Sequence, residues 1–304
     1  MEFPKLSAQF VLDRLRLPDG KLNMVLDTDT YNEVDDQFAV MYALRSPERL
    51  NVQAIYAAPF HNDRSRSPED GMEKSYEEIF RVLNRMDIQP SEHFVLKGST
   101  RYLESHQTPC HSAAAHDLIQ RAMTATEPLY VVSIGAITNI ASALLIEPKI
   151  IEKIVIVWLG GHALYWPSAN DFNLGQDIPA ARIVFDCGIP LVHIPCFNVI
   201  THLQTTIPEL ERYLDGVSPI GSYLTANVRN CEGDQYAKSN VIWDIATIAY
   251  LINPDWVPTN IVHSPILTDQ GTWSHNCSRH FIRTATHVNR DAIFGDLFKK
   301  ARNL

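Results

Sequence analysis

An α/β fold, built on an open, mostly parallel twisted sheet with helices on both faces, is predicted by three features of the sequence. Short apolar runs of strand length alternate with longer amphipathic runs of helix length. Several short runs are apolar at every position, as in parallel strands buried on both faces. Helix-start and turn signals separate the runs, with no internal repeat, low-complexity tract or linker, so residues 1–304 read as a single domain.

The elements follow in order. Asn23 to Leu26 reads as a buried strand and Asp36 to Leu44 as the helix after it. Val52 to Ala58 is the next strand. Ser67-Pro68-Glu69-Asp70 is a helix start, with a capping serine and a proline in the first turn. That helix runs to Met86, with Met72, Tyr76, Ile79, Phe80 and Leu83 on one face. Phe94 to Leu96 is strand-like, and Ser112 to Met123 is helical. Tyr130 to Ile134, Ile154 to Leu159 and Leu191 to Ile194 are strands, with helices at Asn139 to Leu145 and Ala180 to Phe185 between them. The second half is richer in helices, at Pro208 to Leu214, Ile220 to Val228 and Ile245 to Ile252. His280 to Val288 reads as a late strand and Asp291 to Arg302 as a closing helix.

Composition narrows the function. With 45% hydrophobic residues the chain can bury a large core, and its formal net charge of -9 repels nucleic-acid backbones and anionic membranes. A small neutral or cationic substrate is the easier ligand. The cysteines Cys110, Cys187, Cys196, Cys231 and Cys277 form no CxxC pair, which points to reduced thiols in a cytoplasmic protein. Charges throughout Met1 to Leu17 exclude a signal peptide there, and no apolar run approaches the roughly 18 residues of a membrane span.

The most informative segment follows the first strand. Asp27, Asp29, Glu33, Asp35 and Asp36 fall within ten residues, from Asp27 to Asp36. Ligands of parallel α/β sheets bind outside the carboxyl ends of strands. Carboxylates crowded there repel one another unless a cation neutralises them, and an all-oxygen set suits Ca²⁺ or Mg²⁺. Helix capping accounts for Asp35 and Asp36. It leaves Asp27 and Asp29, on the strand end, unexplained. Asp244 follows Val241-Ile242-Trp243 and opens another apolar helix, as either a lone cap or a further ligand. Ser133-Ile134-Gly135 ends a strand whose carbonyls can face the same crevice.

Asp27-Thr28-Asp29 with Asp35-Asp36 resembles the N-terminal signature of the inosine-uridine-type nucleoside hydrolases. Gly135-Ala136-Ile137-Thr138-Asn139, Leu159-Gly160-Gly161, Asp171-Phe172-Asn173 with Asp177, and Trp243-Asp244 follow in that family's order, so the likeness covers Val25 to Ala246. The resemblance implies a nucleoside-hydrolase-like, Rossmann-like core and cleavage of ribonucleosides to free base and ribose. It implies Ca²⁺ held by Asp29, Asp36, the Ile134 carbonyl and Asp244, with Asp29 activating the calcium-held water. Asp35 and Asn62 would bond the ribose hydroxyls, Asp171 and Asn173 would hold the sugar's edge, and Asp27 would orient its neighbours. The implied assembly is a homodimer or homotetramer.

The chain departs from the family pattern in four ways. The loop from Asp29 to Asp35 is two residues longer and lacks the usual Pro-Gly. Asp171 replaces a glutamate. Tyr165 falls near the place of an expected asparagine. Trp243 replaces a histidine able to protonate the leaving base; a tryptophan only stacks or donates its indole N–H. His162, in a loop after a strand, is a candidate replacement acid or an ordinary loop residue. Tyr165, Trp166 and Trp243 can clamp a flat base or fill the core. His111 and His116 read as structural residues of a surface helix. Two other readings compete. Asp27-Thr28-Asp29-Thr30 also resembles the motif of haloacid-dehalogenase-type phosphatases, and a calcium-dependent ribose- or nucleoside-binding protein without chemistry would keep the same sugar site.

Overall fold

Eight strands form one sheet in the computed structural model, which describes residues 3–231, 233–234 and 236–302. In chain order they are β1 (Leu22–Thr28), β2 (Leu50–Ala57), β3 (Val95–Lys97), β4 (Leu129–Ser133), β5 (Ile154–Leu159), β6 (Leu191–Ile194), β7 (Thr259–His263) and β8 (Phe281–Ala285). Their spatial order is β3-β2-β1-β4-β5-β6-β8-β7. All neighbours pair in parallel except β7, which runs antiparallel to β8 at the edge. The sheet grows one way from β1 to β3 and the other way from β4. The crevice for a ligand therefore opens between the carboxyl ends of β1 and β4. Register places Asp27 opposite Ser133 there.

Alternation explains the two-sided burial. Met24 and Leu26 enter one apolar cluster, and Val25 enters the other, on the opposite face. Tyr130 and Val132 follow the first cluster and Val131 the second. Such strands have no face for water, so their sequences are apolar at every position. The helix Asp36–Leu44 is buried along nearly its whole length and packs against the helix Ile245–Ile252. Both start at the crevice.

The helix Pro68–Arg85 begins as expected, with the Ser67 hydroxyl accepting from the Asp70 amide at 3.1 Å. Its buried face differs from the sequence reading. Val82 joins Met72, Ile79 and Leu83 in the core, while Phe80 is exposed and meets the Tyr76 ring edge-on at 5.1 Å. Other differences are small. The late strand shortens to β8, because the next rung pairs Thr286 with Pro258, which accepts the Thr286 amide but has no N–H to donate back. The helix Ala8–Arg14 and the edge strand β7 were not expected; β7 carries Thr259, Asn260 and His263 on a partly exposed edge and so lacks a continuous apolar run. No disulfide links the cysteines among the described residues.

Trp158 ties the core to the crevice. Its fully buried ring packs against Phe185, and its indole N–H donates to the Gly135 carbonyl at 3.2 Å. Trp158→Ala should cost about 3–5 kcal/mol of stability, as for other large buried aromatics. Urea unfolding measures this, and a loss below about 1 kcal/mol would show that the ring does not brace the sheet.

Candidate active site

The acidic segment leaves β1 through a braced loop. The Asn32 amide donates to the Asp29 carbonyl at 2.7 Å, and Gln37 Nε2 donates to the Thr30 carbonyl at 2.7 Å. Arg64 lies over the Tyr31 ring at 4.5 Å and donates to the Asn32 carbonyl at 3.1 Å. Asn62 Nδ2 donates to Asn32 Oδ1 at 2.7 Å. The longer loop is thereby fixed, and it turns Asn32 and the exposed Glu33 toward a cavity of about 580 Å³.

The cavity holds a carboxylate cluster. Asp35, Asp36 and Asp244 are buried and each offers an oxygen within 4.8 Å of the others. Asp29 lies beside them, and both its carboxylate oxygens are buried without a hydrogen-bond partner. A side chain on Gly135 would place its Cβ 2.9 Å from Asp29 Oδ1, so only glycine lets the end of β4 approach this carboxylate. Burial, followed by the neighbouring carboxylates, pushes Asp29, Asp35 and Asp244 well above the usual carboxylate range. Burial likewise lifts Asp36 to about 7, against the hydrogen bond from the Thr28 hydroxyl at 2.5 Å. Among the described residues no lysine or arginine lines the cavity. Such a set is stable in charged form only around a cation, and its donors are all oxygens, which fits a hard divalent ion.

Capping does not explain these residues. Asp35 and Asp244 occupy the N-cap positions of their helices, yet neither side chain makes a cap hydrogen bond. Ser67, Ser112, Asp171 and Asp177 do so at theirs. The two helices instead aim their positive ends at the cluster, which favours its negative charge.

Most of the expected site residues converge. Asp29, Asp35, Asp36, Ile134, His162, Asp171, Asn173, Trp243 and Asp244 all line the cavity. Asn62 does not; its amide is spent on Asn32, which takes a place on the wall. The compact trio contains Asp35 in addition to Asp36 and Asp244, with Asp29 flanking it. Asp35 also accepts the Trp243 amide at 3.1 Å, linking the two helix starts. Asn173 Nδ2 donates to the carbonyls of Ile134 and Leu159, both at 3.0 Å, which leaves its amide oxygen available. Asp171 caps its own helix and also accepts the Gly161 amide at 2.6 Å and the Cys196 thiol at 3.0 Å. Gly161 makes that turn at a φ of 83°.

The phosphatase reading loses its nucleophile. Asp27 is fully buried, and its oxygens accept Asn139 Nδ2 at 2.7 Å and the Ser133 hydroxyl at 3.1 Å. It braces the crevice from behind. His111 precedes the Ser112 cap and stacks on His116 at the surface. The sequence reading passed over Asn32 and Phe197, and it counted Glu33 in the acidic cluster without giving it a role. Asn32 and Glu33 belong to the extended loop, whose length was the available signal. Phe197 follows β6, where its ring centroid lies 5.8 Å from that of Trp243. Trp166 stacks on Phe197 at 6.0 Å, so the aromatic group is larger than a Trp243 platform, and neither Trp166 nor Tyr165 lines the cavity.

The fold and cavity define an α/β protein with an acidic site for a divalent cation at the switch point of its sheet. Comparison with known proteins gives the family. Residues 24–295 match the model of the inosine-uridine preferring nucleoside hydrolases, and the chain belongs to that family. It is an enzyme, a nucleoside hydrolase. A pyrimidine-specific ribonucleoside hydrolase, RihA, of Shigella boydii serotype 4 is 28% identical over 265 residues, covering 78% of this chain and 82% of the relative. The fold matches the purine-preferring ribonucleoside hydrolase from Gardnerella vaginalis with a TM-score of 0.74 at 19% identity, over 92% of this chain and 98% of that one. It also matches the inosine-uridine preferring nucleoside hydrolase from Bacillus anthracis with a TM-score of 0.70 at 17% identity, over 93% and 100%. Among the described residues no helix is long and apolar enough to cross a membrane.

The raised carboxylates set a pH dependence. Burial makes Asp36 bind its proton more tightly folded than unfolded, so without a cation its stabilising contribution is full below the ordinary value of 3.8 and is lost as pH rises through about 7. A bound cation replaces the protons. The increase in melting temperature on adding Ca²⁺ to metal-stripped protein should therefore be larger at about pH 8 than at about pH 5. An equal increase at both would contradict a cation site built on these groups.

Proposed function

We propose that this chain hydrolyses the N-glycosidic bond of ribonucleosides to free base and ribose, in a calcium-dependent reaction with Asp29 as the base. The observation that carries the reading is the Asp29 carboxylate, buried on the cavity wall with both oxygens unpartnered. Asp29, Asp36, Asp244 and the Ile134 carbonyl would hold the ion, with Asp35 close enough to share it. When bound, calcium supplies positive charge among the carboxylates, a fixed seat for the vicinal ribose hydroxyls, and a lowered pKa for a water.

The chain's own groups do the rest. Asp29 accepts the proton of the water that attacks C1′. Asp35 and the free amide oxygen of Asn173 present acceptors to the ribose hydroxyls, and the Asn32 side-chain amide presents a donor. The oxocarbenium-like charge that develops on the sugar is stabilised by the surrounding carboxylates. Trp243 and Phe197 offer ring surfaces to the departing base. Glycosidic cleavage accounts for an acidic cavity without lysine or arginine, which would bind a phosphate poorly.

Asp29→Asn should lower ribose release by about 10²–10⁴-fold, the range for loss of a general base. A variant with wild-type turnover would remove Asp29 from the mechanism. Wild-type protein that binds nucleosides yet releases no ribose would instead be a binding protein. 2′-Deoxyribonucleosides should lose roughly 5- to 150-fold in kcat/KM, equivalent to about 1–3 kcal/mol for polar groups left unpaired. Equal turnover of ribo- and deoxyribonucleosides would contradict recognition of the diol.

A further inference from the structure

The cavity is short of proton donors for a leaving base. Trp243 offers only an indole N–H, which does not titrate. The Cys196 thiol already donates to Asp171, and burial holds it well above the ordinary thiol range. His162 accepts the Phe197 amide on Nδ1 at 3.4 Å, and burial pulls its imidazole below the ordinary range. A neutral nucleoside must lose its base as an anion unless the protein protonates it. A base already charged at the glycosidic nitrogen needs no such proton.

The walls also favour a cation. Glu33 and Asp171 line the cavity in addition to the carboxylates that a divalent ion would offset, and Asp171 adds negative charge to the surroundings of Glu33. Arg64, the cation acting on Glu33, lies over Tyr31 and is not part of the wall. Phe197 is 46% exposed at the mouth, tilted by 57° against Trp243 and backed by Trp166 and the edge of His162. Aromatic faces beside carboxylates attract cations through the ring quadrupole.

We infer that the preferred substrate is a riboside whose base is positively charged at the glycosidic nitrogen, such as an N-ribosylpyridinium. Trp243 and Phe197 stack on the charged ring, and Glu33 supplies the counter-charge. This rests on the hydrolase reading above and adds the class of leaving group. The C1′–N bond breaks, and its electron pair returns to the ring nitrogen, which becomes neutral. The water oxygen bonds to C1′, and the water proton passes to Asp29 and then to solvent. Ribose, a neutral base and one proton result.

The test uses the full chain with calcium. Nicotinamide riboside, uridine and inosine are compared at neutral pH, and the charged riboside should lead by about tenfold or more in kcat/KM. Because that riboside is also the more reactive, binding is measured separately. The N-methylated nicotinamide cation should bind about fivefold tighter than neutral nicotinamide, and Phe197→Ala and Glu33→Gln should each narrow that gap to about twofold. Equal turnover of uridine or inosine, or equal binding of the cation and the neutral amide, would overturn the inference while leaving hydrolysis standing. So would a Glu33→Gln enzyme that loses neutral nucleosides but keeps the charged riboside, because Glu33 would then be a proton donor. Absence of ribose from every riboside would instead overturn the hydrolase reading, and this one with it.

Discussion

Mutual repulsion among buried carboxylates at the end of β1 is the constraint around which this structure is organised. Asp29, Asp35, Asp36 and Asp244 share one cavity wall with no basic side chain among them. Burial alone would drive them to take up protons, as their raised pKa values show. The fold invests in keeping them together. Two helices begin there, glycine at the end of β4 opens the space beside Asp29, and Trp158 holds that glycine's carbonyl. Asp27 stands behind the wall, bonded to Ser133 and Asn139, and joins the two strands that flank the crevice. A protein gains nothing in stability from such an arrangement unless a ligand completes it.

Much of this was legible in the sequence because parallel sheets write their signals locally. The runs Ile154 to Leu159 and Leu191 to Ile194 match their strands, since a strand buried on both faces must be apolar throughout. Asp36 to Leu44 and Ile245 to Ile252 match their helices for a related reason, being apolar nearly all round. Ser67 and Ser112 mark helix starts because a hydroxyl is needed to accept an orphan amide. The edge strand β7 escaped notice because its stability comes from pairing with β8, a contact made between distant parts of the chain. Phe80 was misplaced because helical spacing gives the apolar stripe without fixing which flank meets the core.

The site divides along the same line. Residues at strand ends and helix starts, such as Asp29, Asp36 and Asp244, are positioned by elements the sequence announces. Residues on loops are not. Asn62 follows β2 as expected, but its amide turns to Asn32, and the longer loop determines that partner. Asp171 keeps its place, yet its oxygens are occupied by the Gly161 and Leu174 amides and the Cys196 thiol. Phe197 carried no local signal, because its importance comes from rings on other loops.

The two halves of the cavity consequently answer to different physics. The carboxylate half sits on a strand end and the starts of two buried helices, with Asp36 held by the Thr28 hydroxyl and Asp35 by the Trp243 amide. The aromatic half is made of loop residues whose rings meet one another, with Trp243 also packed against the core. Trp243 gives that half an aromatic face and an indole N–H but no titratable group. Asp35 is where the halves meet, since it shares the cluster with Asp36 and Asp244 while accepting the Trp243 amide. That bond ties the Trp243 backbone to the charge state of the carboxylate cluster. Neutralising Asp35 would weaken an amide–carboxylate hydrogen bond as well as a cation site, so binding of the ion and placement of the aromatic wall are coupled through one side chain.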